Sequence, residues 1–227
     1  MQKITMIFFL IAFLSCNQKL YQEDSSLAKE QITQLKENGA LVVYLPKEEK
    51  KIAKLSDSGF DARAKLVSEK AMVENKELMT AFRAVFDFCP VYFIDEQGVA
   101  AIRENKISEA IFLNDELATD PSIKCDAGFV LVAEYGQTWV GNTKAPEKTT
   151  ESGEGAAVEA ESYNTKNQQS SELAITGLIV KNSDFMQLWR PFPFYVKENK
   201  NVLKTREKEE MVRILNQNFK NFYNKVK

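Results

Sequence analysis

The chain contains no histidine. That absence removes Ser-His-Asp and Cys-His catalysis, histidine-ligated zinc and the commonest general base near neutral pH. Any enzyme chemistry would have to run on carboxylates, lysines, tyrosines or a cofactor. Cysteine is scarce as well: Cys16, Cys89 and Cys125 are the three in 227 residues, and none forms the C-x-x-C of a dithiol redox site. Neither sign of charge dominates, since 30 basic residues face 32 acidic ones, and such a balance leaves no electrostatic footprint for nucleic acid. No G-x-S-x-G nucleophile elbow occurs. Gly153-Glu154-Gly155 has no strand before it and is no phosphate loop. Asp57-Ser58-Gly59-Phe60-Asp61 lacks the spaced ligands and terminal glutamate of a calcium loop. No motif implies a cofactor or a metal.

What is present begins at the N-terminus. Met1-Gln2-Lys3 is positively charged, Ile4 to Leu14 is apolar apart from Thr5, and Ser15 and Cys16 come next. This is the charged region, short apolar core and small residue of a secretory signal. The apolar run is about 11 residues, or roughly 16 Å as a helix, too short for the ~30 Å hydrocarbon core of a bilayer. Phe13-Leu14-Ser15-Cys16 resembles the lipobox of bacterial lipoprotein precursors, with Phe13 where leucine is usual. The resemblance implies removal of residues 1–15 and acylation of Cys16, which would become the first residue of the mature chain. Two or three acyl chains at ~0.8 kcal/mol per buried methylene make detachment negligible. It further implies a place in the bacterial cell envelope, on the outer membrane or the periplasmic face, with the membrane itself as a partner.

Residues 16–25 read as a lipidated tether and 26–227 as one globular domain. Ser26 is the expected N-cap of a short helix with Leu27, Gln31 and Leu35 on one face, stopped at Asn38-Gly39. Ala40 to Leu45 is a continuous apolar run, the pattern of a strand buried on both faces. Lys47 to Leu55 is charged and helical. Asp61 to Phe86 predicts the longest helix, with Leu66, Val73, Leu78, Phe82, Val85 and Phe86 on its apolar side. Further strands are expected at Pro90–Ile94, Glu109–Leu113, Phe129–Tyr135 and Leu173–Val180. Residues 143–172 are rich in Glu, Ser, Thr, Gln and Asn and are expected to be disordered. Prolines two apart place Leu188–Val196 at a sheet edge or in an extended loop. Thr205 is the expected cap of a final helix with a Met211, Leu215, Phe219, Phe222, Val226 stripe. The predicted fold is a single α/β or α+β domain, a mixed sheet of about five to six strands packed by the long helix and the C-terminal helix.

Four groups of residues are candidates for function. Asp95 and Asp115 come directly after two predicted strands; adjacent parallel strands would bring them to one edge as a cation site, whereas an antiparallel return separates them. Cys89 and Cys125 are a candidate disulfide outside the cytoplasm, or two buried thiols. Cys89 to Gly98 is similar to the Pro-led strand and Asp-x-x-Gly turn of thioredoxin-like proteins over ten residues. The missing C-x-x-C keeps redox activity from carrying over. Trp189, Arg190, Phe192, Phe194 and Tyr195 offer either an anchor for an envelope protein or glycan, or an edge that caps the core. The expected function is a lipid-anchored, non-catalytic binding or assembly component. The alternative is an envelope hydrolase or thiol-dependent enzyme using Cys89 or the Asp95/Asp115 carboxylates.

Overall fold

The computed structural model describes residues 25–139, 174–201 and 204–227. A helix over residues 25–37 (α1) turns at Asn38 into a strand at Gly39–Tyr44 (β1). Helices come next at Glu49–Asp57 (α2) and Asp61–Val85 (α3), then a strand at Val91–Ile94 (β2) and a short helix at Val99–Arg103 (α4). Two-residue strands at Phe112–Leu113 (β3) and Thr119–Asp120 (β4) precede the long strand Phe129–Trp139 (β5). The rest is Ala174–Lys181 (β6), Tyr195–Lys197 (β7), Asn199–Asn201 (β8), Lys204–Thr205 (β9) and the C-terminal helix Lys208–Val226 (α5).

The main sheet has five strands in the order β2-β1-β5-β6-β7. β1 lies parallel to both neighbours, with Leu41 opposite Val91 and Leu131. β6 and β7 complete the sheet antiparallel. The single mixed α/β domain expected from the sequence is therefore the observed one.

The unbroken apolar run at β1 results from its place. Leu41, Val43 and Leu45 point into a core shared with α1, α3 and α5, and Ala40 and Val42 into a second core under α4 and β3. Parallel strands demand such double cover. On the first face Phe219 of α5 meets the rings of Phe86, Phe88 and Phe192 at 6.1, 5.5 and 5.5 Å. Edge-to-face pairs of this kind add about 0.5–1.5 kcal/mol each beyond burial. Gly177 lies where β7 crosses β6 so closely that a Cβ would strike the Val196 carbonyl oxygen.

Several local expectations change. In α3, Leu66 and Val73 are 65% and 57% exposed, and the buried stripe runs through Ala64, Ala71, Leu78 and Phe82. At 100° per residue, Val73 and Leu66 sit roughly 140° and 120° around the helix from Leu78, so they cannot share its face. In α1 the buried face is Ala28, Ile32 and Leu35, and Leu27 points outward. Glu109–Leu113 is not a sheet strand: a 3₁₀ turn occupies Ile107–Glu109, and Phe112–Leu113 pairs only with β4. Of the two continuations open after Gly98, a hairpin partner or a short helix over Val99–Ile102, the helix α4 is the observed one, and the Cys89–Pro90 bond is trans, so the thioredoxin-like resemblance ends at the strand itself. Thr205 belongs to β9, and Glu207 precedes α5 as its N-cap residue. Pro191 and Pro193 lie in the loop before β7, and of the run Leu188–Val196 only Tyr195 and Val196 join that edge strand. The segment 143–172 lies outside the described residues.

Asn216 joins α5 to the end of α3 and the start of β2. Its Oδ1 accepts from the N–H groups of Asp87 and Phe88, and its Nδ2 donates to the Val85 carbonyl and to Asp87 Oδ1. The residue is 7% exposed, so truncation would leave backbone groups unpaired inside the protein. Asn216→Ala should lower the unfolding free energy by about 2–4 kcal/mol, measured by urea denaturation.

Candidate functional site

The connections of β1 and β5 leave in opposite directions. β1 runs through α2 and α3 to β2 on one side, and β5 continues to β6 on the other. In α/β sheets the carboxyl ends of two such strands form the crevice where ligands bind. A crevice of about 250 Å³ opens there, between Tyr44 at the end of β1, Tyr135 on β5, and the facing sides of α2 and α3. Its rim carries Glu48, Lys51, Lys70 and Glu74, and its floor is Pro46, Ala71 and Leu78.

The turns at the carboxyl ends of β1 and β2 shape the crevice. Asn75 of α3 donates through Nδ2 to the Pro46 carbonyl at 2.9 Å, fixing the helix against the strand end. Glu96 receives the N–H groups of Lys47 and Glu48 on its two oxygens, at 3.1 and 3.0 Å. That bidentate hold steadies Glu48, a non-glycine residue at φ 60°. Asp95 is fully buried; its Oδ1 accepts from Gln97 N–H, and its Oδ2 lies 2.6 Å from Lys47 Nζ. Asp95 and Glu96 thus clamp the turn after β1 to the end of β2. On the other side of Tyr44, Glu134 is paired with Lys181.

The tyrosines are kept protonated. Burial raises the Tyr44 hydroxyl well above the usual phenol range, and the charges of Glu96, Glu134, Glu48 and Asp95 raise it further. Tyr135 is raised first by burial and then by its hydrogen bond to Glu198 Oε1 at 2.5 Å. Lys208 lies over the Tyr135 ring, and burial depresses its ammonium. The crevice therefore presents Tyr135 and the paired charges of Glu48–Lys51 and Lys70–Glu74 around a small apolar floor, while the Tyr44 ring turns to the other face of the sheet against Phe185.

Asp95 and Asp115, the carboxylates that the sequence offered as a pair, do not share a cation. Asp95 takes Lys47, whereas Asp115 is exposed between β3 and β4, 3.1 Å from Arg83 Nε, with its carbonyl held by Lys76. They separate because Phe112–Leu113 lies outside the main sheet. Among the described residues no group of three or more Cys, Asp or Glu side chains is arranged to hold a metal ion. Cys89 and Cys125 are both free thiols; Cys89 packs against the core on the helical face and Cys125 within the opposite one, with the sheet between. Burial pushes the Cys89 thiol up to about 12 and raises Cys125 as well. In the aromatic run, Phe192 and Phe194 are buried, with Phe192 packed on Phe219 and Phe222 of α5. Trp189, Arg190 and Tyr195 remain at least partly open to solvent. Cys16 lies outside the described residues. The crevice itself escaped sequence reasoning, because Tyr44 and Tyr135 are 91 residues apart and only the β1–β5 register brings them to one edge.

The fold is a single mixed α/β domain with a crevice at the carboxyl ends of β1 and β5. No family model, no curated protein and no solved structure matches the chain.

Two outcomes test this geometry. A thiol with a pKa near 12 is ionised in about one molecule in ten thousand at pH 8. Cys89, for that reason, and Cys125, which is 1% exposed, should resist a disulfide-exchange reagent at pH 8 in the folded protein, and both should react once it is denatured. Asp95→Ala should destabilise the fold by about 1–3 kcal/mol in a denaturant titration, because Lys47 and the Gln97 N–H lose their partner.

Proposed function

We propose that this chain is a lipid-anchored bacterial cell-envelope protein whose domain binds a partner rather than transforming a substrate. The observation that carries the reading is the lipobox-like Phe13-Leu14-Ser15-Cys16 at the end of a short apolar run. Among the described residues no helix is long and apolar enough to cross a membrane. The domain adds support: its crevice residues are engaged with one another, and the groups an enzyme would need are quenched. Cys89 is protonated and half-buried, Asp95 is salt-bridged, and Asp115 is a surface ion pair. The competing reading, a hydrolase or thiol enzyme built on these residues, has no observation in its favour. Partners would be envelope proteins or glycans, met at the crevice or at the open part of the Trp189, Arg190, Tyr195 rim.

Mass spectrometry of the protein extracted from native membranes tests the anchor. The expected first residue is Cys16, carrying the mass of a diacylglyceryl group, and Cys16→Ala should release the protein from the membrane fraction. An unmodified start site, or residues 1–15 still attached, would overturn the reading.

A further inference from the structure

The exposed apolar residues are not scattered evenly. Five of the large ones, Leu27, Phe60, Leu66, Met72 and Val73, belong to α1, α3 or the turn before α3. The hydrogen bond from Asn75 to Pro46 sets α3 against the sheet edge: Asn75 is level with the end of β1. Residues Asp61 to Glu74 therefore project past the ends of β1 and β2 as a prong of about four turns, roughly 21 Å long, and β5 with β6 also continues beyond Glu134 on that side. Phe60 stands at its tip, 51% exposed, with the Arg63 guanidinium 5.6 Å from its ring centroid. Leu66 and Val73, seven residues apart, line its outer side.

The N-terminal tether leaves from the same edge. α1 turns directly into β1 at Asn38, and its last turn sits at the amino edge, where Lys36 Nζ donates to the Phe88 carbonyl. Ala28, Ile32 and Leu35 lie along the sheet face, so the helix starts near the carboxyl edge, where exposed Leu27 sits. Eight residues, 17–24, separate Cys16 from Ser25. Even fully extended they reach only about 30 Å.

From this geometry we infer that the prong formed by Phe60, Leu66, Met72 and Val73 docks on the lipid surface, seating the domain carboxyl edge first against the bilayer that holds its anchor. The inference rests on the proposed acylation of Cys16. The tether's limit decides the occupant: it keeps this edge within reach of the bilayer, and a prong of roughly 21 Å is shorter than the ~30 Å available, so contact needs no stretching. Holding the prong close to lipid raises its effective concentration there, so a few side chains suffice where a free protein would bind weakly. Charge does not drive the contact. Residues 49–74 carry six basic and five acidic side chains, including the pairs Lys65–Glu69 and Lys70–Glu74, so neutral lipid should serve as well as anionic lipid. The crevice between α2, α3 and the sheet would then open close to the membrane surface.

The test uses the acylated full protein in phosphatidylcholine vesicles, its N-terminal modification first verified by mass. With Cys16 blocked by lipid and Cys89 and Cys125 unreactive, Phe60→Cys takes an environment-sensitive dye at one site, and Glu37→Cys, in the last turn of α1, provides the control. The dye at position 60 should brighten several-fold and shift to the blue, the dye at 37 should do neither, and high salt should change little. Leu66→Gln with Val73→Gln, both at exposed positions, should reduce the response while acylation persists. Equal aqueous emission from both sites in the acylated protein overturns the inference and leaves the anchor standing. A signal that requires anionic lipid overturns it too. A response in concentrated unacylated protein without vesicles would assign the prong to a second copy of the chain, with the same consequence. Absence of the acyl mass would instead defeat the anchor reading on which all of this rests.

Discussion

Every larger feature of this protein depends on β1 being flanked by parallel strands on both sides. A strand in that position has no solvent face, so Ala40 to Val43 must be covered above and below. Three helices supply one cover and a run of short elements the other. The parallel pairing also forces β1 and β2 to be joined by a crossover that returns the chain to the starting edge. That crossover is α2 and α3, and it overshoots. A 25-residue helix is about 37 Å long, whereas the strands it spans need roughly half of that. The excess is the prong, and the space under it is the crevice.

The charged groups around the crevice are arranged for rigidity. Asp95 and Glu96 are consecutive, yet one takes the Lys47 ammonium and the other the backbone of Lys47 and Glu48. Together they tie two strand ends and a left-handed turn into one unit. A buried carboxylate paired this way is expensive to remove from water, and its value lies more in fixing geometry than in net stability. The cleft is thereby held open by contacts that do not themselves need a ligand. If the prong rests on lipid, a partner reaching the cleft must approach along the bilayer, and a fellow membrane-attached protein or an envelope polymer is placed to do so.

The strands and helices with strong local patterns were legible in the sequence. The apolar run at 40–45 marked a central strand, the charged stretch at 61–86 a long helix, the paired prolines the loop that leads into edge strand β7, and the Met211, Leu215, Phe219 spacing the docking face of α5. Less legible were features set by partners far away in the chain. Leu66 and Val73 looked like core residues because they are large and apolar. The helix instead buries Ala64 and Ala71. Glu109–Leu113 carries strand-like residues, but main-sheet hydrogen bonding there goes to β5 instead. Asp95 and Asp115 could pair only on adjacent parallel strands, and which arrangement held depended on where Phe112–Leu113 goes, outside the main sheet.

What the amino-acid order determined alone is what depends on neighbours within a few residues. That includes the signal-like N-terminus with Cys16, the absence of histidine chemistry, the element types and the mixed α/β class. The tertiary structure alone decided which strand lies beside which, and with that the remaining outcomes. Cys89 and Cys125 stand on opposite sides of the sheet, Tyr44 and Tyr135 border one crevice, and α3 runs past the ends of β1 and β2. The physical reason is that periodicity and capping act over one or two turns of chain. Register, sidedness and overhang are set by hydrogen bonds and packing between residues tens of positions apart, and no local pattern encodes them.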